Sequence, residues 1–271
     1  MNFSRLVTFA SLAALAAVAV VAVSQSGGVK LVFRDKQRNM EVYDATSWNV
    51  SFVEPYNFRG RGNPMIARWN DEGVEIRANS IDGVANLAEQ GQLTLATANI
   101  SGNLRVTINR PSSNPQSNQR QTIVLTSQSA TYDGSANQVR LTGGVRINGN
   151  DPGAQRTLDL SSQSATVTLS PPGSRGDAVR TARLDGGVNG TVVIVQPGNQ
   201  RANGKVSANQ ATYDAAKRTI VLSGNVRMDA EDASFLGQVQ ASRATLQLND
   251  RGEVVELDLQ GPGETSVKPT P

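Results

Sequence analysis

Carboxylates, hydroxyls, amines and guanidinium groups must carry any chemistry in this chain, because its 271 residues contain neither Cys nor His. That absence removes thiol nucleophiles, Cys and His metal sites, Ser-His-Asp triads and histidine general bases. Paired acids, as in a glycosidase, are the remaining catalytic route, and the sequence does not group them. Asp133 and Asp214 each follow a Tyr and read as turn formers, and Asp82 beside Gly83 reads the same way. No phosphate-binding P-loop is present. The expectation is therefore no catalytic residue, no metal ligand, no cofactor and no enzyme. Net charge is only +3 and the basic residues are not clustered, so no nucleic-acid partner is expected. Three cations do recur at one spacing: Arg105, Arg146 and Arg227 occupy equivalent places in a repeat, with Asn189 in the same slot of another unit. A solvated face is the plain reading of that set.

The repeat that places them is built on glycine. The pattern apolar-x-Gly-x-apolar occurs at Ile100 to Leu104, Leu141 to Val145, Leu184 to Val188 and Leu222 to Val226, with a degraded copy from Leu259. Successive glycines (102, 143, 186, 224, 261) lie 41, 43, 38 and 37 residues apart. Between them falls a second pattern, a small residue followed three positions later by Ala-Thr, starting at Ser127, Ser162, Ala208 and Ala241. Residues 130–147 and 211–228 align without a gap, with 8 of 18 positions identical. Even spacing of this kind marks a stacked repeat architecture.

Period two dominates inside each unit. Val139, Leu141, Gly143, Val145 and Ile147 alternate with polar or small residues, as do Ile220, Leu222, Gly224, Val226 and Met228, although Val221 breaks the polar side. Such alternation puts one row on a buried face of a strand, and a central Gly predicts a bend or bulge. Low aromatic content (4%), low charge (18%) and 25 glycines agree with many strands joined by polar turns. The polar stretches 111–120, 148–156, 171–177 and 196–204 read as loops, and the Pro-containing tail from 263 to 271 as disordered. Residues 29–75 match the repeat poorly and read as an atypical capping unit. At the N-terminus Arg5 precedes an apolar run from Leu6 to Val23, as long as a membrane span requires. The run reads as an uncleaved anchor in preference to a cleaved signal peptide, giving three parts: 1–28 signal-anchor or signal peptide, 29–262 β domain, 263–271 tail. Either reading puts the β domain outside the cytoplasm.

The string Ala208 to Met228 (ANQATYDAAKRTIVLSGNVRM) resembles the repeat of the LptA/LptC (OstA-like) family of lipopolysaccharide-transport proteins, with Ser127 to Ile147 a second match and Ile100 to Val106 a partial third. The resemblance implies an all-β, elongated, open β-jellyroll of antiparallel strand units, preceded by one N-terminal apolar helix. It further implies an apolar trough for the acyl chains of lipopolysaccharide or a related glycolipid. Subunits would join through edge strands into a bridge across the periplasm, served by an inner-membrane ABC transporter. The anchor favours the LptC-like form. Trough residues would then be Ile100, Leu104, Leu141, Val145, Leu184, Val188, Leu222 and Val226, flanked by Val139, Ile147, Ile220 and Met228, and Arg105, Arg146 and Arg227 a rim for lipid phosphates.

Three other readings share these residues. A non-lipid-binding extracytoplasmic scaffold or adhesion protein would have the same repeat with a closed core. A β-propeller would need blade signatures that are absent from the sequence. A carbohydrate-processing β-helix would need clustered acids.

Overall fold

The computed structural model describes residues 20–25, 28–34, 39–51, 53–69, 73–87, 93–112, 114, 116–170, 179–195, 201–231, 235–249, 254–262 and 265–269. Most of the apolar N-terminal run, residues 6–19, lies outside the described residues. Its last four residues instead belong to a strand: β1 (Val20–Gln25) pairs with β2 (Gly28–Arg34). The following strands are β3 (Asn39–Val50), β4 (Tyr56–Trp69), β5 (Val74–Leu87), β6 (Leu93–Pro111), β7 (Arg120–Asp133), β8 (Gln138–Asp151), β9 (Arg156–Leu169) and β10 (Val179–Val195). Next come β11 (Arg201–Asp214), β12 (Thr219–Glu231), β13 (Phe235–Leu248), β14 (Val254–Gln260) and β15 (Thr265–Pro269). All fifteen form a single antiparallel sheet in chain order, except that β15 pairs back onto β13. A 3-10 turn, Pro152–Ala154, sits between β8 and β9, and no helix among the described residues is long and apolar enough to cross a membrane.

A sheet of this kind buries side chains only by folding over itself. Val139, Leu141 and Ala244 are fully covered, and the described residues include no α-helix that could cover them. The fold line is the repeat glycine. Ladders shift register between Ser101 and Leu104, Thr142 and Val145, Asp185 and Val188, and Ser223 and Val226. At each shift two consecutive residues have positive φ: Gly102-Asn103, Gly143-Gly144, Gly186-Gly187 and Gly224-Asn225. Gly and Asn are the residues that enter this region at least cost, which explains the Gly-Gly or Gly-Asn dipeptide. The second sequence pattern is the other side of the same bend. A side chain from the preceding strand crosses each first glycine: Asn79, Gln128, Gln163, Asn209 and, at Gly261, Ser242. The Ser127 and Ser162 hydroxyls donate to the carbonyls two residues on, Ser129 and Ser164.

The two patterns together also make the core. Register aligns Ile81, Ile100, Ala130, Leu141, Ala165, Leu184, Ala211, Leu222, Ala244 and Leu259 in one row across the sheet. From Ala130 to Leu259, Ala from one strand alternates with Leu from the next, so large side chains fill the space left by small ones. The glycine-bearing strand supplies Leu and the Ala-Thr strand supplies Ala.

Three expectations need correction. The tail expected to be disordered contains β15, which pairs with Phe235–Val239 of β13, while β14, followed by Gly261 (φ 91°), pairs with Arg243–Leu248 of the same strand. Here the degraded fifth repeat still directs a ladder, and Pro269 is tolerated at its end, where no further bond is needed. Residues 148–151 and 201–204, expected as loop, extend β8 and β11, because Gly and Asn suit the bent strands as well as turns. Asp82 is no turn residue. It lies inside β5 and pairs with Arg59 Nε at 2.5 Å and Arg61 Nη2 at 3.1 Å. Asp133 and Asp214 do serve their turns: Asp133 accepts from the Ser135 and Ala136 N–H groups, and Asp214 from that of Lys217.

The same face carries Glu75, which accepts from Arg68 Nε at 2.8 Å and Arg77 Nε at 2.5 Å. Burial pushes its carboxyl upward, but the hydrogen bonds and charges of both arginines outweigh that and hold it below the ordinary glutamate value. A depressed folded pKa stabilises the fold above the unfolded-state value near ~4.3 and loses that contribution as pH falls through the folded value. Glu75→Gln is therefore expected to reduce the urea midpoint at pH 7 by at most about 1 kcal/mol of stability, because the arginines are exposed. The gap to the parent protein should close on acidification. A gap that widens at low pH would reverse the sign of the argument.

Candidate functional site

Two inward rows lie on the far side of the fold line. One runs Ile76, Val106, Leu125, Ile147, Leu160, Gly190, Val206, Met228, Val239. The other runs Val74, Ile108, Ile123, Gly149, Leu158, Val192, Gly204, Ala230, Gly237. Both change character between β7 and β8. On β5 to β7 every member is a branched aliphatic and buried: Val74, Ile76, Val106, Ile108, Ile123 and Leu125 are at most 6% exposed. From β8 to β13 small residues enter the rows, and Ile147, Leu158, Leu160, Val192, Val206, Met228 and Val239 are only half-buried. Val192 and Val206 lean over the glycines, Val192 Cγ1 over Gly204 and Val206 Cγ1 over Gly190. The interior is thus packed shut toward the N-terminal strands and only partly covered toward the C-terminal ones. The buried residues form one cluster from Ala45 to Val179, which includes Ala165, Val167 and Leu169 of β9, and a second from Val188 to Ala244.

A polar clasp stands at the division. The Ser112 hydroxyl donates to Asp151 Oδ1 at 2.6 Å, and Asn114 Nδ2 to the Gly153 carbonyl at 3.0 Å. Gln121 Nε2 donates to the Pro111 carbonyl. These bonds tie the β6–β7 connection to the β8–β9 turn over the lip of the sealed half, and Ser112, Gln121 and Asp151 are all buried.

The twelve aliphatic residues singled out from the sequence all pack in the two interior clusters. They divide by depth. Ile100, Leu104, Val139, Leu141, Val145, Val188, Leu222 and Val226 are at most 5% exposed and serve as core. Ile147, Leu184, Ile220 and Met228 are half-buried. The sequence reading missed Leu158, Leu160, Val192, Val206 and Val239. These lie outside the glycine motifs, and only their alternation could have revealed them. Arg105, Arg146 and Arg227 are exposed and alternate with the inward Leu104, Val145 and Val226, so they sit on the outer face, across the sheet from the trough. Arg146 lies 4.0 Å from Asp159, and Arg227 borders an outer polar groove of about 1070 Å³ with Asn189, Asn225 and Gln240. Tyr132 and Tyr213 point inward and pack against the main cluster. No group of His, Cys, Asp or Glu able to hold a metal occurs among the described residues.

Residues 124–247 match the family model described as "LptA/(LptD N-terminal domain) LPS transport protein". Among solved structures, the chain is similar to LptH, the LptA-homologous periplasmic component of the lipopolysaccharide transport device from Pseudomonas aeruginosa. The likeness is 12% identity over 55% of this chain and 95% of that one, with a TM-score of 0.38. No curated protein matches the chain. The family match spans most of β7 to β13, the strands that carry three of the glycine motifs and the half-buried aliphatic rows. Over these residues the chain is similar to the LptA-like (OstA-like) lipopolysaccharide-transport proteins that the family model describes.

Proposed function

We propose that this chain binds the acyl chains of lipopolysaccharide, or of a related glycolipid, in the C-terminal half of its interior and passes them along a periplasmic bridge. One observation carries the reading: six aliphatic side chains on β9 to β13 face inward and stay half-exposed in a sheet that seals the same rows elsewhere. Each methylene laid on such a surface contributes about 0.8 kcal/mol, so the trough needs no chemistry to hold a lipid. A closed scaffold would have filled these rows with the Ile and Leu of β5 to β7.

The edge formed by β14 and β15 supports assembly. Among the described residues no further strand pairs with its outer side, and Val254, Val255 and Leu257 are 49%, 61% and 41% exposed. Unpaired backbone beside apolar side chains is a template for strand addition, so another jellyroll subunit is the partner we assign there. Directional movement would draw on an inner-membrane ABC transporter. The LptC-like, anchored form expected from the N-terminal run rests on residues outside the described ones, while the family model names LptA and the N-terminal domain of LptD.

The test is charge in the trough. Val206→Asp and Met228→Asp are expected to lower lipopolysaccharide binding by the purified protein at least about tenfold, since a carboxylate must be desolvated against hydrocarbon. Far-UV circular dichroism should stay unchanged. Undiminished binding by both folded variants would remove the trough from the function.

A further inference from the structure

The lip of the trough carries a cation that the repeat does not predict. Arg156 opens β9 and pairs in register with Asp151 on one side and Ile194 on the other. It precedes Leu158 and Leu160 by two and four positions, so its side chain leaves the same, inward face of the strand. Its Nε is buried and finds no hydrogen-bond partner. A buried guanidinium N–H without an acceptor is unfavourable, and an anion oxygen is the group that best relieves it. The neighbouring Asp151 is already engaged, its Oδ1 accepting from the Ser112 hydroxyl at 2.6 Å and the Ala154 N–H at 3.2 Å.

We propose that Arg156 is an anion-binding residue at the mouth of the trough, taking the phosphate of a lipid headgroup whose acyl chains lie on Leu158, Leu160 and Val192. The proposal rests on the lipid reading of the trough and adds the headgroup to it. It assigns the phosphate contact to a residue inside the lip, in place of the outward Arg105, Arg146 and Arg227. A planar guanidinium presents two parallel donors to phosphate oxygens, which a lysine ammonium cannot reproduce. The position also fits an amphiphile: polar clasp and Arg156 at the rim, aliphatic rows below.

Three probes separate the sources of anion: bis-phosphorylated lipid A, the same acylated disaccharide without phosphates, and inorganic phosphate. Binding to the full chain is measured for the parent protein, Arg156→Gln and Arg156→Lys. Arg156→Gln should weaken the phosphorylated lipid by about tenfold or more and leave the dephosphorylated lipid unchanged, with Arg156→Lys between. Equal losses for both lipids would make Arg156 merely structural and overturn the proposal, as would no loss for either. Arg156-dependent binding of inorganic phosphate that lipid A fails to displace would overturn the headgroup assignment. A parent protein that binds neither lipid would instead overturn the trough function itself.

Discussion

Gly143→Asn is expected to destabilise the protein by on the order of 3 kcal/mol, whereas Gly144→Asn, one residue on, should stay within about 1 kcal/mol. Both glycines have positive φ, 81° and 82°, so backbone strain alone does not distinguish them. The surroundings do. A Cβ on Gly143 would lie 2.5 Å from Gln128 Cβ, an atom fixed to the β7 backbone, while a Cβ on Gly144 meets nothing within 4 Å. The protein itself makes the comparison: the first slot of each dipeptide is Gly in every repeat, and the second is Asn103 and Asn225 in two of them, at φ 53° and 52°. The measurement is the urea midpoint with an unchanged slope. Gly186→Asn and Gly187→Asn repeat the contrast, with Gln163 in the role of Gln128. Equal effects at both positions of either pair would show that the side chain crossing the glycine is not what excludes a Cβ.

This bend was the most legible part of the sequence, because a position that admits only glycine leaves the same letter at every recurrence. The period-two rows beside it were legible for a related reason: Leu141 and Val145 flank the motif and share its parity. The Ala of Ala-Thr was visible as a pattern, but its meaning was not. Ala130, Ala165, Ala211 and Ala244 are small because each faces a Leu on the neighbouring strands, a constraint that acts across the ladder. The N-terminal strands β2 to β5 were nearly silent, since Asp44 replaces glycine at the positive-φ position of β3. Where the trough opens was also hidden. Leu158, Val192 and Val206 are ordinary strand residues whose exposure depends on which strands carry glycine in the same row. Arg156 reads as one more loop cation until the register puts it on the inner face.

Leu141→Ala and Met228→Ala should therefore separate stability from binding. Leu141 has no exposed surface and its row neighbours are Ala130 and Ala165. Truncation would put three alanines side by side in the row, leaving a gap that neither row neighbour can fill. The expected loss is about 3–5 kcal/mol, toward the upper part of the range for buried leucines. Met228 is half-buried at the trough wall beside Val206 and Val239. Its removal uncovers surface that is already partly wet, so a loss of about 1 kcal/mol or less is expected. For lipid the order should reverse. Measured per folded molecule by chemical denaturation and lipopolysaccharide titration, Leu141→Ala should bind as the parent does, and Met228→Ala more weakly. If Leu141→Ala impaired binding in its folded fraction as much as Met228→Ala, the sealed and open halves would share one ligand surface. The division between β7 and β8 would then be a feature of packing with no bearing on where the lipid lies.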